Sequence, residues 1–102
     1  MKPGDRVGAV ISAEKDDKIV KFAGYGVYKG NEVPPKGIEF MGMDLHELNH
    51  TNPRIELDNG HTIWGCQCWW GPEETIIKSM KAYLLKGYDL ITVDPSVYSN
   101  AE

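Results

Sequence analysis

Residues 64–74 read Trp64-Gly-Cys-Gln-Cys-Trp-Trp-Gly-Pro-Glu-Glu74, WGCQCWWGPEE, and contain a predicted change from strand to helix. The run from Thr62 to Trp70 is rich in the aromatic residues that favour strands. Proline at a first helical position lacks an N–H group that would have no partner there, and the two glutamates face the positive end of the helix dipole. We therefore predict a strand over Thr62 to Trp70 and a helix from Pro72 to Lys86.

The predicted helix has one apolar face, which indicates that it packs on a sheet. Its apolar side chains recur at helical spacing: Ile76, Ile77, Met80, Tyr83 and Leu84. Gly87 follows Lys86, and glycine is the residue that most easily takes the left-handed conformation after a helix.

Further strands are predicted on both sides of this segment. Arg6–Ser12, Ile19–Tyr28 and Tyr88–Val93 are apolar runs bounded by polar or glycine residues. Arg54–Leu57 pairs with the strand that begins at Thr62, since Asp-Asn-Gly between them suits a tight hairpin. Gly24 and Gly26, inside the second of these strands, predict a bulge or sharp bend.

These elements predict an α+β fold in a single domain, 1–102. We expect a curved antiparallel sheet of about five strands, an SH3-like partial barrel, with one helix in the C-terminal half packed on it. Glycines and a Pro-Pro pair make Lys29–Gly42 a loop, and residues 96–102 are expected to form a flexible tail.

Composition and charge narrow the possible functions. The chain has a formal net charge of -4, and no short window clusters Lys and Arg, so nucleic acid is not an expected partner. The N-terminal MKPGDRVGAVIS suits neither a signal peptide nor a membrane span, so we expect a cytoplasmic protein without a membrane partner.

The two cysteines are predicted to be core residues. On an uninterrupted strand Trp64, Cys66, Cys68 and Trp70 would share one face. A disulfide between residues two apart on a strand would be strained, and one CxC pair supplies too few ligands for structural zinc. We predict free, buried thiols and no cofactor.

His46-Glu-Leu-Asn-His50 matches the H-E-x-x-H pattern of zinc hydrolases, in which two histidines hold the metal and the glutamate activates water. A glycine shortly before the run and Pro53 after it leave room for only a short turn. Asp44 and Glu47 also fit a capping box. We predict no metal site, and His46 and His50 remain the alternative metal ligands.

Large aromatic side chains are numerous for a small domain, and those that the core does not absorb are candidates for a binding surface. Trp69 and Gln67 lie on the opposite face of the predicted strand from the cysteines. The candidate ligand-binding or interface residues are Trp69, Tyr25, Tyr28 and Gln67. No catalytic residues are assigned.

The chain resembles a group of small uncharacterised proteins encoded by bacterial integron gene cassettes. Three segments carry the likeness: GDRVGAVIS, GYGVY followed by VPP, and LDNGHTIWGCQCWWGPEE. The resemblance implies a bacterial, cytoplasmic origin and an accessory role on a mobile element, and it transfers no catalytic residue.

Three functions remain open. The first is a non-enzymatic interaction module, a homodimer that uses an aromatic patch around Trp69 and Tyr25. The second is a small-molecule-binding protein with a pocket between the sheet and the Lys29–Gly42 loop. The third is a small zinc-dependent hydrolase that uses His46, His50 and Glu47.

Overall fold

The computed structural model describes residues 1–99, and within them one α-helix packs on a curved sheet. The elements in chain order are β1 (Arg6–Glu14), β2 (Ile19–Glu32), β3 (Glu39–Phe40), β4 (Met43–Asp44), β5 (Asn52–Leu57), β6 (Thr62–Trp64), β7 (Trp69–Pro72), α1 (Glu73–Leu85) and β8 (Asp89–Thr92). Short 3-10 helices occupy Gly65–Gln67 and Pro95–Val97.

The sheet has the order β6-β5-β2-β1-β7, and β8 pairs with the first part of β2. The long strand β2 changes neighbours along its length: Ile19–Phe22 pair with β8, whereas the part from Gly26 to Glu32 pairs with β5. Strands β6 and β7 lie at opposite ends of this order, so the sheet is not closed into a barrel. The predicted α+β fold, with a curved sheet and a helix packed on it, is confirmed.

The glycines of β2 bend the sheet as the sequence predicts. Gly24 has a φ of 141°, which few other residues adopt, and the β1–β2 register shifts next to its partner Ala9. At Gly26 a Cβ atom would lie 2.2 Å from the carbonyl oxygen of Glu56 in β5. Only glycine lets the two backbones approach this closely.

The sheet is not entirely antiparallel, because its last strand, β8, is parallel to β2. Strand β7 is antiparallel to β1, and β1 is antiparallel to β2, so β7 and β8 run in the same direction. The chain therefore crosses over the sheet through α1 between them. A helix is the usual connection between parallel strands, because a short turn cannot return the chain to the same end of the sheet.

Apolar residues cover both faces of the sheet. On the helix side the buried cluster is Val10, Val20, Phe22, Ile76 and Met80. On the other side it is Val7, Ala9, Ala23, Tyr28, Ile55, Leu57, Ile63 and Tyr98. Residues of β1 alternate between the two clusters, as the period of a strand requires.

Helix α1 matches the predicted helix within one residue at each end. Pro72 precedes its first residue, and Gly87, with a φ of 88°, follows its last turn. The N–H groups of Gly87 and Tyr88 donate to the carbonyls of Leu84 and Tyr83, both at 3.0 Å, which satisfies the helix end. Among residues 1–99 no helix is long and apolar enough to cross a membrane.

The predicted strand from Thr62 to Trp70 is wrong in one respect: it is broken after Trp64. The Gln67 side chain accepts a 2.9 Å hydrogen bond from the Trp64 N–H, and the Cys66 N–H donates to the Asn52 side chain at 2.8 Å. These bonds hold a 3-10 turn that carries the chain from β6 to β7, at the opposite end of the sheet order.

The predicted loop over residues 29–42 contains more regular structure than expected. Strand β2 continues to Glu32, and β3 and β4 form a small hairpin. Its two turn residues, Met41 and Gly42, have φ angles of 54° and 80°, which suit a tight hairpin turn.

The expected tail is wrong for residues 96–99. Tyr98 is only 4% exposed and packs in the core, and Gln67 donates a 2.8 Å hydrogen bond to its carbonyl oxygen. An aromatic ring that covers apolar core residues stabilises the segment that carries it. Residues 100–102 lie outside the described part of the chain.

Candidate functional site

One hollow lies where the loop before β3 meets the β5–β6 hairpin and the C-terminal segment. Its volume is about 290 Å³, close to the lower limit of ordinary ligand sites, about 300 Å³. The lining residues are Pro35, Ile38, Arg54, Gly60, His61, Thr62, Trp64, Tyr98 and Ser99. We call this hollow the hairpin pocket.

The β5–β6 hairpin supplies the floor of the hairpin pocket. Arg54 pairs directly with Trp64 across the two strands, so both side chains lie on the same face of the sheet. Ile55 and Ile63, the next pair along, point to the opposite face and are completely buried in the core. The rigid core thus fixes the position of the residues that face the pocket.

The loop before β3 forms one wall of the hairpin pocket, and a small cluster of buried side chains holds this wall in place. Ile38 and Leu45 pack on Trp64, and all three side chains are at most 6% exposed. Asp44 accepts hydrogen bonds from the N–H groups of His46 at 2.9 Å and Gly37 at 3.1 Å, which closes the loop around this cluster. The bond from Gly37 is the main reason why the pKa of Asp44 lies below its usual value.

The C-terminal wall is fixed by two polar contacts. The Asn59 side chain donates a 3.0 Å hydrogen bond to the hydroxyl oxygen of Tyr98, and Gln67 bonds its carbonyl. The pocket thus has walls from three chain segments that are distant in sequence. Each wall is attached to the core by a buried side chain, which indicates a preformed site.

The charge of the hairpin pocket differs from that of the whole chain. The part of its lining that the structure describes contains one guanidinium, Arg54, with the His61 ring and the Thr62 hydroxyl, and no acidic side chain. The whole chain, in contrast, carries a net charge of -4. Arg54 has one described ion pair, from Nη1 to Glu32 Oε2 at 3.2 Å. Most of its donors are therefore open to another acceptor.

A second hollow, of about 510 Å³, lies beside the start of α1, and two of its charged side chains, Arg6 and Glu73, are paired with each other. Arg6 there contacts Asp58 through both terminal nitrogens at 2.8 Å and Glu73 through Nη2 at 2.8 Å. These bonds raise the pKa of Arg6 and lower that of Asp58. Arg6, Asp58 and Glu73, which we call the Arg6 cluster, link β1, the β5–β6 turn and α1 and so stabilise the fold.

Trp69 and Tyr25, which are predicted to share one patch, have different neighbours in the structure. Trp69 is 51% exposed and lies beside a hollow of about 200 Å³ with Tyr83 of α1. Tyr25 does not line that hollow; its ring contacts Phe22 edge-on, with a centroid distance of 4.9 Å. Burial and the nearby Glu73 carboxylate raise the pKa of Tyr25.

The other two candidates lie inside the structure. Tyr28 is 8% exposed and stacks on Trp70 with a centroid distance of 5.3 Å, and its hydroxyl donates to the Asn31 side chain at 2.8 Å. Both ends of the Gln67 amide are used by backbone groups, the Trp64 N–H and the Tyr98 carbonyl. These two side chains organise the core rather than a binding surface.

The two cysteines are free, as predicted, but they do not share one layer with Trp64 and Trp70. Cys66 packs with Trp64 beside the loop, whereas Cys68 packs with Trp70 against the core on the far side of the sheet from α1. Burial, with a smaller contribution from Cys66, raises the pKa of Cys68 to about 12, so this thiol is protonated at neutral pH.

The HELNH run forms one short turn instead of a helix. The His46 Nδ1 atom lies 3.0 Å from the Pro34 carbonyl oxygen, and that of His50 lies 2.9 Å from the Thr51 carbonyl oxygen. The two rings thus contact different parts of the backbone. Within residues 1–99 no group of three His, Cys, Asp or Glu side chains is arranged to hold a metal ion.

Sequence reasoning missed the polar residues of the hairpin pocket, although it considered a pocket between the sheet and the Lys29–Gly42 loop. The register of the predicted hairpin could have placed Arg54 opposite Trp64. The participation of Tyr98 had no comparable signal, because its segment was interpreted as a tail.

Comparison of the chain with models of protein families, with curated proteins and with solved structures finds no match.

Proposed function

We propose that this protein is a non-enzymatic binding module that holds a small organic molecule in the hairpin pocket. One observation carries the proposal: apolar residues of the loop and convergent polar groups of the hairpin surround a hollow of about 290 Å³. A concave site with a few convergent polar groups is typical of ligand sites. The accessory role implied by the likeness to gene-cassette proteins belongs to the same proposal.

Preformed walls support this reading. Trp64, Ile38 and Tyr98 are 6%, 3% and 4% exposed, so each is held by the core before any ligand arrives. A site that needs little ordering loses less conformational entropy on binding. The ligand would contact the accessible edges of these side chains and the exposed polar groups beside them.

A fragment screen by thermal shift tests the proposal, because a ligand that binds only the folded state raises Tm. Stabilising compounds are retested on Thr62→Tyr, which puts a large ring into the hairpin pocket. Thr75→Tyr is the matched control: it makes the same substitution at an exposed position of α1. We expect the stabilisation to disappear in Thr62→Tyr and to persist in Thr75→Tyr.

Two results would contradict the proposal. One is a screen in which no compound raises Tm. The other is a stabilisation that Thr62→Tyr retains in full, which would place the bound compound elsewhere.

A homodimer through the surface around Trp69 is a second candidate, favoured by one observation. Trp69 is half-exposed at the start of β7, a strand at the end of the sheet order. Exposed tryptophans beside a free strand edge are typical of interfaces. Light scattering tests the dimer by measuring the mass of the protein in solution. If the wild type has the mass of a dimer, Trp69→Ala should lower that mass. The control, Ile91→Ala, truncates a 44% exposed residue of β8 and should leave the mass unchanged. A monomer mass for the wild type at every concentration would exclude the dimer.

A further inference from the structure

The two arginines of the chain are used very differently. Arg6 makes four hydrogen bonds to two carboxylates, so most of its five N–H donors are engaged. Arg54 has a single described bond, at 3.2 Å, to a glutamate whose side chain is 48% exposed. A single exposed ion pair of this length is weak and can be exchanged for another acceptor at little cost.

The surroundings of Arg54 favour an anion as that acceptor. Among residues 1–99 no carboxylate lines the hairpin pocket, and His61, Thr62 and Ser99 contribute groups that can donate a hydrogen bond. Of the described lining residues, Arg54 alone carries a permanent charge, and a guanidinium fork matches the two oxygens of a carboxylate.

We propose that the ligand class of the hairpin pocket is a small monocarboxylate with a compact apolar body; this inference rests on the function proposed above. The carboxylate takes the place of Glu32 at the Arg54 guanidinium. The apolar body lies against Pro35, Ile38 and the accessible edge of Trp64. Binding thus exchanges one ion pair for another and covers apolar surface.

Charge balance favours a carboxylate over a phosphate monoester. A phosphate monoester carries about 1.5 to 2 negative charges at neutral pH. The lining offers one guanidinium, so part of the phosphate charge would lack a partner in the pocket. The single charge of a monocarboxylate needs only this one guanidinium as its partner.

Three probes with the same ring and different charges test the ligand class: benzoate, benzamide and benzamidine. Each is titrated into the full-length protein at neutral pH and constant ionic strength, and the indole N–H signal of Trp64 is followed by NMR. We expect benzoate to bind about tenfold more tightly than benzamide, the difference that a charge-assisted bond supports. Benzamidine should bind least, because its charge repels Arg54.

Two variants test the exchange of partners. Arg54→Gln should weaken benzoate about tenfold and leave benzamide nearly unchanged. Glu32→Gln should tighten benzoate about threefold, since it removes the competing carboxylate. The matched controls are Lys21→Gln and Glu14→Gln, which make the same charge changes in a 2.9 Å ion pair outside the pocket; they should alter benzoate binding little.

The outcomes separate this inference from the proposed function. If benzamide or benzamidine binds the pocket as tightly as benzoate, the carboxylate class is wrong and the pocket still binds ligands. An unchanged benzoate affinity in both Arg54→Gln and Glu32→Gln has the same meaning. If none of the three probes shifts Trp64 and the fragment screen is also silent, both proposals fail.

Discussion

Gly26 shows how the absence of one side chain controls the packing of two strands. A Cβ atom at this position would lie 2.2 Å from the Glu56 carbonyl oxygen and 2.7 Å from the Leu57 Cα atom. Both are backbone atoms in the neighbouring strand β5, so they cannot move aside as the end of a flexible side chain could. The approach of β2 to β5 therefore depends on glycine.

We predict that Gly26→Ala lowers the free energy of unfolding by about 3 kcal/mol or more, at the upper end of the cost of overpacking. Gly71→Ala is the matched control, because a Cβ atom there meets nothing within 4 Å; its effect should stay within about 0.5 kcal/mol. Urea unfolding followed by tryptophan fluorescence measures both variants. If the two substitutions lowered the free energy of unfolding equally, the close approach of β2 to β5 would not account for the effect of Gly26→Ala.

Among the elements, the Arg6 cluster connects three parts of the chain that lack a shared hydrogen-bond ladder. Arg6 in β1 binds Asp58 in the β5–β6 turn and Glu73 at the start of α1. The hydrogen bonds from Arg6 lower the pKa of Asp58, and backbone N–H groups lower the pKa of Asp44 and of Asp94. In the unfolded chain such carboxyl groups titrate near pH 4 (about 3.9).

We predict that stability falls as the pH drops below about 4, because these carboxyl groups bind protons more readily in the unfolded chain. Their contribution is present above the unfolded pKa and is lost as the pH falls through the lower folded pKa. Asp58→Asn should make this fall less steep, and urea unfolding between pH 7 and pH 2.5 measures it. Asp16→Asn removes the same charge from the β1–β2 turn, outside the Arg6 cluster, and should retain the wild-type slope. A wild-type slope in Asp58→Asn would contradict the prediction.

At the scale of the whole molecule, burial is uneven, and local stability should follow it. Strands β1 and β2 have bonded neighbours on both sides and buried residues such as Val7 and Val20, both 0% exposed. The β3–β4 hairpin has two pairs of residues, and its Phe40 and Met41 are 48% and 81% exposed.

We predict that backbone amides of β1 and β2 exchange most slowly with solvent and those of β3 and β4 fastest, since the hairpin can open without exposing the main core. Hydrogen exchange followed by NMR gives the rate at each amide. Strand β8, which pairs along one side only, provides an internal comparison and should be intermediate. Hairpin amides as slow as those of β2 would contradict this order.

Features that depend on neighbouring residues can be predicted from the amino-acid sequence alone. The turn between β5 and β6, the helix after Gly71-Pro72 and the bend at the β2 glycines follow from backbone geometry over a few residues, which residue type controls directly. The α+β class follows in turn from the periods of the apolar residues. The absence of a disulfide between Cys66 and Cys68 also follows from their positions two residues apart on the chain.

Features that join distant segments become visible only when the chain is folded; one is the course of the chain after β6. The tertiary structure breaks the predicted strand after Trp64, because the chain must reach the other end of the sheet order, and side-chain bonds from Gln67 and Asn52 satisfy the turn. It also buries Tyr98 and brings Ile38 and Arg54, which are distant in sequence, to one pocket. Such contacts depend on how the layers pack, and burial of apolar surface, the main force that drives this packing, has no direction along the chain.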